Sequence, residues 1–472
     1  MTQTSVNRGP VPTISKADQL RAARTQALLN APIGPTLAKL AAPNVLAMFV
    51  QSAQSIAEAY YASQLGVAAL AGLALVFPLV MLTQMLSAGA IGGAISASIA
   101  RALGGGGSDR AASLTLTAWI IAAGMAILMA VLMAMFGRTI FNALGGGPDA
   151  IIAAVTYAAV FFPGCIAIWL CNASLSIIRG TGDMQMPSVL LLVVATASIP
   201  LAGGFAMGWG PLPAMGMAGL PLGLVVAYGT GALIAIGYIL SGRTGLDFAG
   251  ALRRIDFGMF RDILAVGSMA AINTVLTVLT TILMVGIIGQ FGEAALAGYG
   301  LGARLEFLMI PVIFGIGAAM TAMVGANIGA GNRARALRVA WTGSLAAAVI
   351  VGGIGATLAL YPDLWLMIFL DRTDAGVLAA GRSYFHIVAP FYAFFAIGLA
   401  LYFACQGAGR MFWPVASSLS RIIVAVLGAI LIHKTTSLGV QGVYAAIGAA
   451  MLVYGGVIAI ALHLTGWKES SR

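Results

Sequence analysis

Two acidic side chains stand where chemistry inside an apolar setting is possible. Glu58 and Glu306 are the only carboxylates well inside long hydrophobic stretches, and Arg304 and Arg421 are the corresponding cations. An ionised carboxylate at the centre of a bilayer costs roughly 2.5–3.5 kcal/mol, so such a group is kept where it does a job. Asn44, Gln51 and Glu58 recur at intervals of seven residues, and Gln54 stands four before Glu58. That spacing draws one polar stripe along an otherwise apolar helix, facing a bundle interior rather than lipid. A carboxyl in such a place can load and release a proton. The plainer reading is a protonated glutamate hydrogen-bonded to Gln54 or to a neighbouring helix. Glu306 follows Arg304 by two residues, so the two point to different helix faces. Arg421 is its candidate partner, and both a structural ion pair and a coupling role stay open.

Other groups carry weaker signals. Asn172 sits in an apolar stretch, where polar contact between helices is the ordinary reading and a place in an ion-coupling set is the alternative. His386 is of the residue type used for proton chemistry near neutral pH, but a lone histidine near an interface is more often packed. Gln51, Tyr60, Tyr61, Phe161, Asn273 and His386 are candidates to line a substrate cavity, with Phe162, Phe391, Tyr392, Phe394 and Phe395 as further aromatic faces for flat cations. Such rings are commoner in plain helix packing. Cys165, Cys171 and Cys405 lack metal-ligand spacing and read as small apolar fillers. No paired-acid, Ser/His or metal constellation is present, so we expect no enzyme, no metal and no cofactor.

These residues ride on membrane helices. Apolar residues make up 60% of the 472 and charged residues 8%, with a mean hydropathy of +1.00. A soluble chain carries about 25% charged residues. Apolar runs long enough to span a bilayer recur throughout. They predict twelve helices near 38–62, 68–100, 111–136, 150–177, 187–208, 216–240, 262–288, 294–325, 337–360, 377–405, 411–432 and 440–464. The net charge of +10 is lopsided rather than patchy, which argues against a nucleic-acid partner. Arg8, Lys16, Arg21, Arg24 and Lys39, the arginines of the even-numbered loops, Lys468 and Arg472 fall on one side. Arg138, Arg372 and Lys434 fall on the other, with Arg382 near its rim and Asp363, Asp371 and Asp374 close by. By the positive-inside rule both termini are cytoplasmic. Residues 15–28 read as a solvated lead-in or a surface amphipathic helix.

The chain is one unit written twice. Tyr157, Pro163, Gly180, Gly182, Met184 and Pro187 match Tyr384, Pro390, Gly407, Gly409, Met411 and Pro414, each 227 residues on. Each half has an even number of spans, so both enter the membrane in the same direction. The expected fold is therefore an all-α polytopic membrane protein of twelve helices in two six-helix bundles, related by a pseudo-two-fold along the membrane normal. Its parts are a cytoplasmic N-terminal segment (1–37), a first bundle (38–240), a linker (241–261), a second bundle (262–465) and a tail (466–472). Pro163 and Pro390 predict kinks in matching helices, and Pro43 is a candidate hinge in the first. Gly180-Thr181-Gly182 and Gly407-Ala408-Gly409 read as helix stops, with Pro187 and Pro414 at the next starts. Gly104 to Gly107 reads as a tight turn, since it lacks the Lys-Ser/Thr of a phosphate loop.

Residues 178–187, Ile-Arg-Gly-Thr-Gly-Asp-Met-Gln-Met-Pro, resemble the loop between spans four and five of multidrug and toxic compound extrusion (MATE) transporters. Residues 324–336 resemble that family's turn after span eight, and Leu65-Gly66 with Ala69-Leu70-Ala71 its entry into span two. The resemblance, of bacterial type, covers roughly 38–465. It implies a V-shaped pair of bundles exporting cationic or amphipathic organic compounds in exchange for H⁺ or Na⁺, working as a monomer in the bacterial inner membrane. It also puts Glu58 where the family carries an acid in its first span. The chain departs from the pattern elsewhere. Sodium-coupled members carry acids in spans seven and ten, whereas 263–292 and 375–405 hold none and Thr277 stands near the first of those places. H⁺ is therefore the expected coupling ion. Na⁺ coupling and a lipid-linked oligosaccharide flippase of the same superfamily are the alternatives.

Overall fold

The computed structural model describes residues 16–145, 147–370 and 375–467. Arg8, Asp371, Arg372, Asp374, Lys468 and Arg472 lie outside the described residues. Those described fold into helices and connecting turns, with no strand among them. Among the described residues, twelve helices are long and apolar enough to cross a membrane. They are α1 (Ile33–Gln64), α2 (Val67–Gly104), α3 (Ser108–Ala143), α4 (Pro148–Gly180), α5 (Gln185–Met207), α6 (Gly216–Leu240), α7 (Phe257–Gly289), α8 (Glu293–Gly329), α9 (Arg333–Leu360), α10 (Ala375–Ala408), α11 (Phe412–Thr435) and α12 (Val440–Thr465). Their ends lie within five residues of the expected spans except that of α3, which runs seven residues past the expected 136, because the apolar thickness of a bilayer dictates only a minimum length for the run.

The helices pack in an order that repeats. In the first half α1 lies on α5, α2 on α4, α3 on α4, α4 on α6 and α5 on α6. Six helices later the same pairs recur, as α7 on α11, α8 on α10, α9 on α10, α10 on α12 and α11 on α12. The stops recur too, with Gly182 at φ +87° and Gly409 at φ +73°, a conformation only glycine adopts cheaply. The matched prolines do not act alike. Pro163 sits in unbroken α-helix. Around Pro390 the helix tightens into a 3-10 turn over Ala389–Phe391, which divides α10 into Ala375–Val388 and Tyr392–Ala408. Pro43 lies inside α1.

The halves meet on the side that carries the arginine-rich loops, called here the basic side. There the backbones of α2 and α8 come together: a Cβ on Gly104 would overlap the Ala326 carbonyl, and one on Gly329 the Arg101 carbonyl. Small residues permit this approach. Arg101 Nη1 donates to Gly407 O at 2.9 Å, Arg254 pairs with Asp109 at 2.6 Å, and Arg110 pairs with Asp262. The lead-in is a helix, Lys16–Asn30, that spans the seam. Arg24 pairs with Asp183 of the first half at 2.8 Å, and Asn327 of the second half donates to Leu28 O at 3.1 Å. Leu28 is buried, so this segment is docked rather than merely solvated.

Candidate functional site: two tyrosine–glutamate pockets

The polar stripe of α1 turns inward. Asn44, Gln54 and Glu58 are all buried, along with Ala47 and Ala62 on the same face. Glu58 is 8% exposed. Its Oε1 accepts a hydrogen bond from the Tyr157 hydroxyl of α4 at 2.6 Å. Tyr157 stacks on Phe161 at 5.8 Å, and Phe161 meets Phe162 edge-on at 5.2 Å. One turn before Glu58, Gln54 Oε1 is buried without a hydrogen-bond donor among the described residues. No ion pair within the described residues involves Glu58. The pocket is thus a carboxyl, a neutral donor and rings.

A second chain of polar groups runs deeper in the same half. Gln51 Nε2 donates to the Tyr228 hydroxyl at 3.0 Å, and Tyr228 also neighbours Gln84. Asn172 Nδ2 donates to Gln84 Oε1 at 3.2 Å and to Ser87 Oγ at 2.9 Å. Asn172 therefore joins α4 to α2 and does not touch Glu58. Ser87 lies in a π-helical turn, Met85–Ile91, inside α2. Such turns concentrate at functional sites.

The second half holds a counterpart pocket built from a different helix. Tyr384, the repeat match of Tyr157, donates its hydroxyl to Glu306 Oε1 of α8. Tyr157 and Tyr384 each stand nine residues into their helices, about 14 Å along the axis at 1.5 Å per residue. Tyr384 meets Tyr299 at 5.7 Å and Tyr444 at 5.2 Å, both edge-on. Tyr392 is buried beside Glu306, and its hydroxyl makes no hydrogen bond of regular geometry among the described residues. Arg421 lies near Glu306 but is not ion-paired with it. Its guanidinium sits over Tyr454 at 5.3 Å and Phe395 at 5.7 Å. Arg304 is exposed and lies 5.9 Å over Phe369.

The remaining candidates scatter. Tyr60 is exposed and lies edge-on to Tyr61, which packs edge-on against Trp209 at 5.7 Å. Phe161 is fully buried. Asn273 is buried and accepts a hydrogen bond from Ser418, joining α7 to α11. Asn44 and Ser188 join α1 to α5 in the same manner, at 2.8 Å. His386 is exposed on α10, with its ring nitrogen 2.7 Å from Ala359 O, and it borders a groove with Tyr361, Asp363 and Arg382. Sequence reasoning passed over Tyr157 and Tyr384 as site residues. The signal that could have found them was the repeat itself, which holds a tyrosine at the same place in both halves.

Among the described residues, twelve helices long and apolar enough to cross a membrane, in two similarly packed sets that each hold an acid, define a polytopic membrane protein. A family model described as MatE matches residues 43–202 and 270–431, and the chain belongs to that family. A probable multidrug resistance protein NorM of Deinococcus radiodurans is 27% identical, over 94% of this chain and 95% of that protein. An FAD transporter of Shewanella oneidensis is 23% identical, over 66% of this chain and 68% of its own. Among solved structures, a MOP superfamily transporter from Pyrococcus furiosus, described as having a binding pocket of reverse polarity, superposes with a TM-score of 0.84. It shares 21% identity and the match covers 94% of this chain and 98% of that one. Family members are multidrug efflux transporters rather than enzymes.

Proposed function

We propose that this protein is a proton-coupled antiporter that exports cationic or amphipathic organic compounds by alternating access, with Glu58 as the proton carrier. The observation that supports it most is the Glu58 pocket. The carboxyl is buried, bonded to Tyr157 with Gln54 one turn away and Tyr228 nearby, and has no cation in ion-pair contact among the described residues. Taking up a proton cancels the charge of that pocket, which is the change a coupling step needs. The absence of acids from α10 and from the membrane part of α7 speaks against sodium, which favours oxygen-rich sites. The basic side faces the cytoplasm by the positive-inside rule, in the bacterial inner membrane, and the monomer is the working unit.

The test is transport of ethidium or a fluoroquinolone by reconstituted protein, under a pH gradient and separately under a sodium gradient. The expected result is transport with the pH gradient alone, lost in a folded Glu58→Gln protein. Sodium-driven transport, or normal pH-driven transport by that variant, overturns the reading. A second cargo class has one observation behind it. Arg421 over two rings offers a cation and flat faces in the second half, and the Shewanella relative is named for a flavin dinucleotide. FAD therefore belongs in the same assay.

A further inference from the structure

The π-turn of α2 touches both halves of the molecule at once. Within the first half, Ser87 accepts from Asn172 of α4, and the Gly92 N–H reaches back five residues to Ser87 O. Gly92 has no room for a side chain: a Cβ would lie 2.7 Å from both Ser176 Oγ and Ser87 O. Across the seam, the same turn receives the side chain of Gln406 from α10. Gln406 Nε2 donates to Gly89 O and to Ala90 O, each at 3.1 Å. Gln406 is fully buried, and its head lies flat on Gly93, where a Cβ would overlap the amide. Its Oε1 has no hydrogen-bond donor among the described residues. A buried glutamine with one unsatisfied atom is costly, and it is held here by the two carbonyls of the turn.

Those carbonyls are the link. In a regular α-helix each backbone carbonyl is committed to the N–H four residues on, whereas a π-turn shifts that register. We propose that Gln406 is a positioning residue of the transport cycle: it clamps the π-turn of α2, and the turn carries the state of the Asn172–Ser87–Gln84 network to the closure of the basic side. Resetting the turn withdraws the two acceptors and frees α10 from α2. The Arg101 bond to Gly407 O, one residue along α10, then loses its support. The proposal rests on alternating access in a transporter of this family and not on the identity of the coupling ion.

The test measures the separation of the halves. Cysteines replace Ser241 at the end of α6 and Ala334 at the start of α9, both exposed on the basic side. The native cysteines are all buried, so spin labels go to the introduced pair. Gln406→Met keeps length and volume but removes the amide. It is expected to lower the ratio of closed to open molecules at least about tenfold, the scale of two lost buried hydrogen bonds. Turnover should fall while the KM for ethidium stays the same. Gly93→Ala pushes the same amide aside without altering Gln406, and it should reproduce both effects. If Gln406→Met fails to fold, Gly93→Ala decides alone. Asn172→Ala should shift the distances the same way, and with Gln406→Met the two should fall short of additivity, since they act through one turn. Distance distributions unchanged in the folded variants, or fully additive effects, overturn the proposal.

Discussion

The two glutamate pockets share a tyrosine and little else. Tyr157 and Tyr384 are the same residue of the repeated unit, at the same depth, each donating to a glutamate. The glutamates come from non-equivalent helices, Glu58 from α1 and Glu306 from α8, whose counterpart in the first half is α2. Their surroundings differ as well. Glu58 is buried beside Tyr157, which stacks on Phe161, and no ion pair among the described residues involves it. Glu306 is half-buried among Tyr299, Tyr384, Tyr392 and Tyr444, with Arg421 near by. A duplicated scaffold has thus kept the donor and placed the acid twice, independently. In the first pocket a proton taken up at Glu58, as proposed, would cancel a charge that no ion pair among the described residues offsets. In the second it is shared with a neighbouring guanidinium, which weakens its leverage on helix packing.

The largest effect follows directly. In proteoliposomes under a pH gradient, Glu58→Gln should lower drug transport by at least about a hundredfold, and Glu306→Gln by only about three- to tenfold, a gap of roughly 1.4–2 kcal/mol in the rate-limiting step. Equal losses would make the pockets equivalent and break the comparison. A larger loss at Glu306 would invert it and move the carrier to the second half.

How much of this was readable beforehand depends on the range of the interaction. Span length, the stripe from Asn44 to Glu58 and the glycine stops are local, so apolar run length, helical spacing and residue type announce them. The tyrosine partners are not local. Glu58 and Tyr157 are 99 residues apart, and nothing in either segment names the other. Local sequence also hid real differences. Pro163 and Pro390 are matched, yet only Pro390 interrupts the α-helical ladder, because the surrounding packing decides whether a missing N–H bends the chain or is absorbed. The π-turn at Met85–Ile91 leaves no mark in the composition. Gly92 and Gly93 read as generic small residues until Ser176 and Gln406 are seen against them. The lead-in helix is polar by sequence and docked in the structure, since its anchors are a backbone carbonyl, one ion pair and the single buried Leu28 rather than a continuous apolar face.

A smaller effect tests the donors instead of the acids. Tyr157→Phe removes the only hydrogen bond to the Glu58 carboxyl among the described residues. Hydrogen bonds to charged groups are worth about 1.5–3 kcal/mol, so pH-driven transport should fall by about tenfold or more. Tyr384→Phe should cost less, within about threefold, because the hydroxyl of Tyr392, which makes no hydrogen bond of regular geometry among the described residues, already lies beside Glu306 and can take over. The double variant Tyr384→Phe/Tyr392→Phe should then recover the full loss. Measuring the three variants in one preparation sharpens the contrast between a pocket with one donor and a pocket with a spare. Equal losses for the two single variants would remove the spare.

The smallest effect concerns the cation that distinguishes the second pocket. Tyr454 stands 226 residues after Tyr228, and the two occupy corresponding places in α12 and α6. Tyr228 takes the neutral amide of Gln51, whereas Tyr454 takes the guanidinium of Arg421 over its ring. Arg421→Gln therefore gives the second half the kind of partner the first half has. Cation–π contacts are worth about 0.5–2 kcal/mol, so thermal unfolding in detergent should occur only slightly earlier. Arg421→Lys should fall between, since an ammonium keeps the charge and loses the planar stacking. Transport under a pH gradient should change by less than about threefold in either variant, because the guanidinium is not ion-paired with Glu306. The informative readout is the double variant with Glu306→Gln. If Arg421 moderates the Glu306 charge, removing both should cost less than the two single losses combined. Strict additivity would show that the guanidinium serves the rings alone, and that the second pocket differs from the first in its acid and its tyrosines but not in its charge balance.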